Sequence, residues 1–264
     1  MIITDQLNRT ISLKSTPKRI ISLVPSLTEL IVDLGLEGAL VGVTKFCVHP
    51  KSIRKEKAVV GGTKQVHLDK IKKLQPDIII CNKEENTLEM VSQLENICPV
   101  HISDILDLED TLQLIKSYGR LFNVEQKANE IHYKIEEEIK SFKEYVLKQK
   151  RLKVAYFIWQ KPWMVAGNDT FINTLLNLNS FDNIFVNTIR YPEVSLEEVV
   201  KKNPEILMLS SEPYPFKDKH KVELSQRFAA SKVIIVDGEY FSWYGSRLLG
   251  AFDYFRTLRQ ELSN

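Results

Sequence analysis

Cys47, His49 and Cys81 are the side chains in this 264-residue chain best suited to soft-metal chemistry. Thiolate sulfur and imidazole nitrogen are ligands of zinc or iron. Their spacing argues against a built metal site, because a single residue separates Cys47 from His49 and no second pair accompanies them. Two readings stay open: packed, unreactive cysteines, or, for His49, coordination of a metal carried inside a bound ligand. With Cys98 the cysteines number three, without a CxxC pair, which argues against a disulfide framework. Phosphate and nucleophile patterns are also missing. Gly61–Gly62–Thr63–Lys64 fits neither GxGxxG nor GxxxxGK, and GxSxG and HExxH do not occur. No catalytic machinery is visible. The aromatic residues carry more. All three tryptophans, Trp159, Trp163 and Trp243, lie in two short stretches, 159–164 and 239–246, with Tyr244 next to the last. Either each one lids a core, or together with Phe46 they wall a large flat or apolar ligand.

The elements that position these residues alternate. Residues 2–13 read as a hairpin turning at 6–9. A buried strand over 19–24 ends at Pro25, and Ser26 with Glu29 matches a capping box for a helix to Leu34, closed by Gly35. Strands follow at 40–43, 78–81 and 100–102, separated by the loop 44–50, the glycine pair and a helix over 86–94. After residue 150 the pattern restarts: strands at 153–158, 206–209 and 233–236, helices at 170–178 and at the C-terminal end. Alternation of this kind predicts parallel sheets covered by helices. Ligands in such sheets bind beyond the carboxyl ends of the strands. That places Pro25, Ser26, Phe46, Cys47, His49, Gly62, Thr63, Asn82, Trp159, Trp163, Trp243, Tyr244 and Arg247 in the candidate binding loops.

Two stretches repeat. Residues 68–81 align without gaps on 196–209: a short helix, a proline (Pro76, Pro204), an acid (Asp77, Glu205) and an apolar strand. Proline ends the helix and is expected to push its predecessor into extended geometry. Between the copies, residues 107–150 hold no proline and one glycine. Val124, Ala128, Ile131, Ile135, Ile139, Phe142 and Val146 make one helical stripe, and Asn123 with Gln126 offers a starting cap. About 25 residues would make a rod of roughly 38 Å. The expected organisation is an N-terminal α/β lobe (1–105), a helical segment (106–150) and a C-terminal α/β lobe (151–264).

Hydrophobic content of 44%, charged content of 27% and a net charge of +2 describe an ordinary globular chain with no electrostatic footprint for nucleic acid. No apolar run approaches the roughly 18 residues of a membrane span. The first ten residues lack the regions of a secretory signal, so either a signal has been removed or the protein acts in the cytoplasm.

Several segments together resemble a known family: residues 18–30 (Lys–Arg–Ile–Ile–Ser–Leu–Val–Pro–Ser–Leu–Thr–Glu–Leu), Leu40–Val–Gly–Val43, Val60–Gly–Gly62, Leu74–Gln–Pro–Asp–Ile–Ile79, Thr4–Asp–Gln–Leu–Asn–Arg9 and Ser246–Arg–Leu–Leu–Gly–Ala251. They are similar to the class III substrate-binding proteins of ABC importers, which take vitamin B12 and other corrinoids, ferric siderophores or haem. Within that family, residues 159–164 and 241–244 are most similar to the cobalamin-binding branch. The resemblance implies an α/β fold of two Rossmann-like lobes with central parallel sheets, joined by one long rigid backbone helix, with the ligand in the cleft between lobes. It implies a monomeric binding protein rather than an enzyme, with no intrinsic cofactor, a corrinoid as ligand, a periplasmic or cell-envelope location, and a permease with its ATPase as partners. A ferric siderophore or haem is the first rival ligand. An anionic siderophore calls for several arginines, and only Arg247 and Arg190 are candidates. A cytoplasmic enzyme or metal or corrinoid chaperone of the same shape is the second. One exposed glutamate per lobe docks onto the permease in the resembled family. Extending the repeat pairs Glu84 with Glu212, which fits by type; Glu85 and Glu89 are the alternatives in the first lobe.

Overall fold

The computed structural model describes residues 1–263. They divide into two compact units, Met1–Glu136 with Tyr244–Leu249, and Glu137–Trp243 with the residues from Gly250 onward. The division differs from the expected boundaries: it falls inside the long helix, because that helix packs its early residues on one core and its late residues on the other. A short late segment also joins the first unit.

The first unit opens with the hairpin β1 (Ile2–Thr4) and β2 (Thr10–Ser12), paired antiparallel. Asp5 shapes its turn, with Oδ1 accepting from the backbone N–H groups of Leu7 and Arg9, each at 3.0 Å. There follow β3 (Ile20–Ser22), α1 (Pro25–Asp33), β4 (Leu40–Val43), α2 (Ile53–Glu56), β5 (Ala58–Val59), α3 (Leu68–Lys73), β6 (Ile78–Asn82), α4 (Leu88–Glu95) and β7 (Val100–Ser103). The strands form a parallel sheet in the order β5-β4-β3-β6-β7. Every residue of β3 and β6 is buried, the signature of strands covered on both faces and the reason they read as unbroken apolar runs.

Helix α1 does not start on the expected capping box. Pro25 takes the first helical position after Val24, and no side chain caps the end. Proline needs no partner for a missing N–H and presets the helical φ, so Ser26 falls inside the first turn and Glu29 is released for another partner.

The 107–150 stretch is two helices, α5 (Leu108–Phe122) and α6 (Glu125–Val146). Asp107 caps α5, completing a capping box with Asp110. Asn123, expected to start the long helix, ends α5 instead at φ 57°, a left-handed conformation asparagine tolerates. The predicted stripe is buried from Ala128 to Val146.

The second unit contains β8 (Leu152–Trp159), β9 (Met164–Val165), α7 (Phe171–Leu178), β10 (Phe181–Asn183), α8 (Leu196–Lys202), β11 (Ile206–Ser210), α9 (Asp218–Arg227), β12 (Lys232–Val236), α10 (Gly238–Ser242) and most of α11 (Leu248–Ser263). Its sheet runs β10-β8-β11-β12 in parallel, with β9 antiparallel on β8. Among the described residues no helix is long and apolar enough to cross a membrane.

The two sequence copies occupy equivalent places. Helix α3 leads into β6, beside β3; α8 leads into β11, beside β8. Gln75 and Asn203, before the two prolines, both have φ of 47°. The expected extended geometry is therefore replaced by a left-handed helix end. The acids after the prolines have one job. Asp77 Oδ2 accepts from the N–H of Arg19 at 2.9 Å, and Glu205 Oε2 from that of Lys153 at 2.9 Å. Each acid ties its strand to the start of the neighbouring one.

Candidate ligand-binding site

In the first unit, Asn82 closes β6 and is almost wholly buried. Its Oδ1 accepts from the N–H groups of Glu84 and Glu85 at 2.8 and 3.1 Å, and its Nδ2 donates to Ser103 Oγ at 3.1 Å. Expected in the ligand loops, Asn82 instead shapes the turn that follows its strand. Glu84 and Glu85 are half-buried, and one carboxylate oxygen of Glu84 is enclosed. Burial raises Glu85 above the usual carboxylate range, opposed by the charge of Lys64 and a hydrogen bond from Thr63.

Cys47 is fully buried, its Sγ 3.1 Å from Thr28 Oγ1 and 3.3 Å from Thr44 Oγ1. Desolvation raises its pKa, against those hydrogen bonds. Cys81 is fully buried within β6, and burial drives its thiol far up. Both are packed thiols, and Cys47 is not a surface of the binding loops. Among the described residues no three His, Cys, Asp or Glu side chains gather around a metal position. His49, Gly62 and Thr63 are half-buried, and Phe46 is exposed. Phe46 carries the Lys45 ammonium 5.0 Å from its ring centre. Pro25, half-buried, lies where α1 begins. Ser26 is buried in the first turn of that helix, and Tyr244 is buried as well, its pKa raised chiefly by that burial. Arg247 faces Glu29 in a two-armed ion pair, Nε to Oε2 at 3.0 Å and NH2 to Oε1 at 2.8 Å. Both side chains are mostly buried, at 12% and 16% exposure.

In the second unit the expected aromatic walls differ in exposure and in partners. Trp159 ends β8 at 39% exposure, edge-on to Tyr214 with ring centres 5.4 Å apart. Trp163 is half-buried, stacked on Phe216 at 6.1 Å and edge-on to Phe157 at 5.5 Å. Trp243 is 7% exposed, its indole N–H donating to Glu212 Oε1 at 2.7 Å. The same oxygen accepts from Ser242 Oγ at 2.7 Å. Trp243 is thus a largely buried anchor, and it follows a short helix, α10, where the sequence predicts a loop. Gly238 begins that helix; a Cβ there would collide with Ser210 Oγ and the backbone of Glu212. Glu212, paired with Glu84 as a docking acid, is half-buried and holds this corner.

Gln160 and Tyr214 lie in the stretches after β8 and β11 where the sequence places ligand loops, but the sequence singles out neither of them, and His220 lies outside those stretches. Tyr214 and Phe216 alternate with two prolines directly after β11, and that aromatic alternation at a strand's carboxyl end was the available signal. His220 sits in α9, whose only buried residues are His220 and Leu224, too few to show a helical period.

Comparison with known proteins agrees with this architecture. Residues 20–233 match the periplasmic binding protein family. An uncharacterized ABC transporter substrate-binding lipoprotein of Bacillus subtilis, YvrC, is 27% identical over 214 residues, covering 78% of this chain and 68% of that protein. A vitamin B12-binding protein of Vibrio parahaemolyticus is 27% identical over 195 residues, covering 73% of this chain and 70% of that one. Among solved structures, a periplasmic heme binding protein from Pseudomonas aeruginosa superposes with a TM-score of 0.82 at 23% identity, covering 92% of both chains. The chain therefore belongs to the periplasmic binding protein family, whose members bind substrates for transport and are not enzymes.

Proposed function

We propose that this protein is the substrate-binding component of an ABC-type importer of the cell envelope and that its ligand is a corrinoid. The observation that carries the ligand is Trp159, the one expected tryptophan wall that stays exposed, at 39%, with its edge partner Tyr214. A partly exposed indole at a strand's carboxyl end suits a broad macrocycle with an apolar face. The vitamin B12-binding relatives support the same class. A ferric siderophore fits less well. Arg247 is committed to Glu29, and Arg190 NH1 donates to Asp169 O at 3.3 Å while its guanidinium lies 5.9 Å from the ring of Tyr191. Haem is the second reading, favoured by the fold shared with the heme-binding neighbour. Absorbance titration with cyanocobalamin, hemin and a ferric siderophore separates the three. Saturable binding of cyanocobalamin alone is expected; saturable binding of hemin alone would replace the corrinoid with haem.

A further inference from the structure

One chain of hydrogen bonds at the carboxyl end of the second unit's sheet runs in a single direction. The N–H of Lys217 donates to Nδ1 of His220 at 2.9 Å. A ring nitrogen that accepts carries no proton, so in the neutral imidazole the proton is on Nε2. Nε2 lies 3.3 Å from the Tyr214 hydroxyl oxygen, and the ring donates there. The hydroxyl proton then goes to Gln160 Oε1 at 2.9 Å. An amide whose oxygen is held by a donor turns its NH2 the other way. The rings are fixed as well: Phe216 meets His220 edge-on at 5.4 Å and Tyr214 at 4.7 Å. Gln160 follows the exposed Trp159 in sequence and is half-buried.

We propose that Gln160 is a specificity-determining N–H donor to the ligand, with Tyr214 and His220 as positioning residues that fix which end of its amide faces outward. The inference deepens the corrinoid reading and rests on it. A ligand lying on Trp159 must present an acceptor at its edge, and the carboxamide carbonyls of a corrin rim are acceptors of that kind. Without the relay the amide is free to turn its oxygen outward, and the preference for acceptors is lost.

Cyanocobalamin is the probe, with thermal unfolding of every variant to confirm folding. Gln160→Glu, which replaces the donor by acceptors, is expected to weaken binding on the order of tenfold, the scale of one lost hydrogen bond plus an unpaired acceptor. Tyr214→Phe is expected to weaken it several-fold in the native background and to have no effect once Gln160 is alanine. A Tyr214 that merely packs would weaken binding equally in both backgrounds, which overturns the positioning role. Independently of any ligand, nitrogen-15 NMR of the His220 ring should show the proton on Nε2; a proton on Nδ1 overturns the relay. If cyanocobalamin binds the native protein and Gln160→Glu alike, the donor assignment falls while the corrinoid reading stands. If the native protein does not bind it, the corrinoid reading falls and the donor assignment with it.

Discussion

The indole nitrogen of Trp243 donates to Glu212 Oε1 at 2.7 Å, and the two residues hold each other in a largely buried corner of the second unit. Removing one partner strands the other. Glu212→Ala is expected to destabilise the protein by about 1–3 kcal/mol, the cost of leaving a buried donor unmade, measured by urea unfolding. Its cyanocobalamin affinity should change less than that of Trp159→Ala. Charge reversal at Glu212 would disturb this corner before it tested permease docking. Unchanged stability in Glu212→Ala would remove the anchor role.

Trp159 is exposed and edge-supported, so it is the tryptophan whose fluorescence a bound macrocycle should quench. Trp159→Ala is expected to weaken cyanocobalamin binding by about 1–3 kcal/mol, with most of the quench lost. If Trp163→Phe loses the quench and Trp159→Ala keeps it, the wall is Trp163.

His49 lies in the loop after β4 and is half-buried. If its neutral imidazole reaches the cobalt of a bound corrinoid, His49→Ala should shift the visible spectrum of the bound ligand as well as its affinity. An identical spectrum and affinity would assign His49 to the loop alone.

His101 is 1% exposed beneath α5, and burial lowers its pKa to about 4, opposed by the Asp5 carboxylate and reinforced by Arg9. The unfolded chain takes up this proton near pH 6.5. Below that pH the unfolded state binds a proton that the folded state refuses, so stability falls as pH falls and levels off below about pH 4. The slope is about 1.4 kcal/mol per unit and the total about 3 kcal/mol. Urea unfolding at pH 7 and pH 4.5 should show a smaller loss in His101→Leu than in the native protein. Equal losses would mean that another group drives the acid sensitivity.

Apolar runs, prolines and the 68–81/196–209 repeat were enough to read two α/β halves and the long helix, because each rests on local periodicity or on a residue that cannot be helical. The matching acids Asp77 and Glu205 were visible as letters, but their shared work, binding the N–H that starts the neighbouring strand, appears only once the strands pair. The loops of the candidate site were legible by position, at the carboxyl ends of parallel strands. Which side chains face outward was not. Asn82 and Trp243 turned inward where Ser103 and Glu212, distant in sequence, supplied partners for their polar groups, and Cys47 packed inward as a small, weakly polar side chain against Thr28. Arg247 was claimed by Glu29 across 218 positions. Periodicity reports a residue's own segment; exposure depends on what the rest of the chain brings against it, and that only the tertiary structure decided.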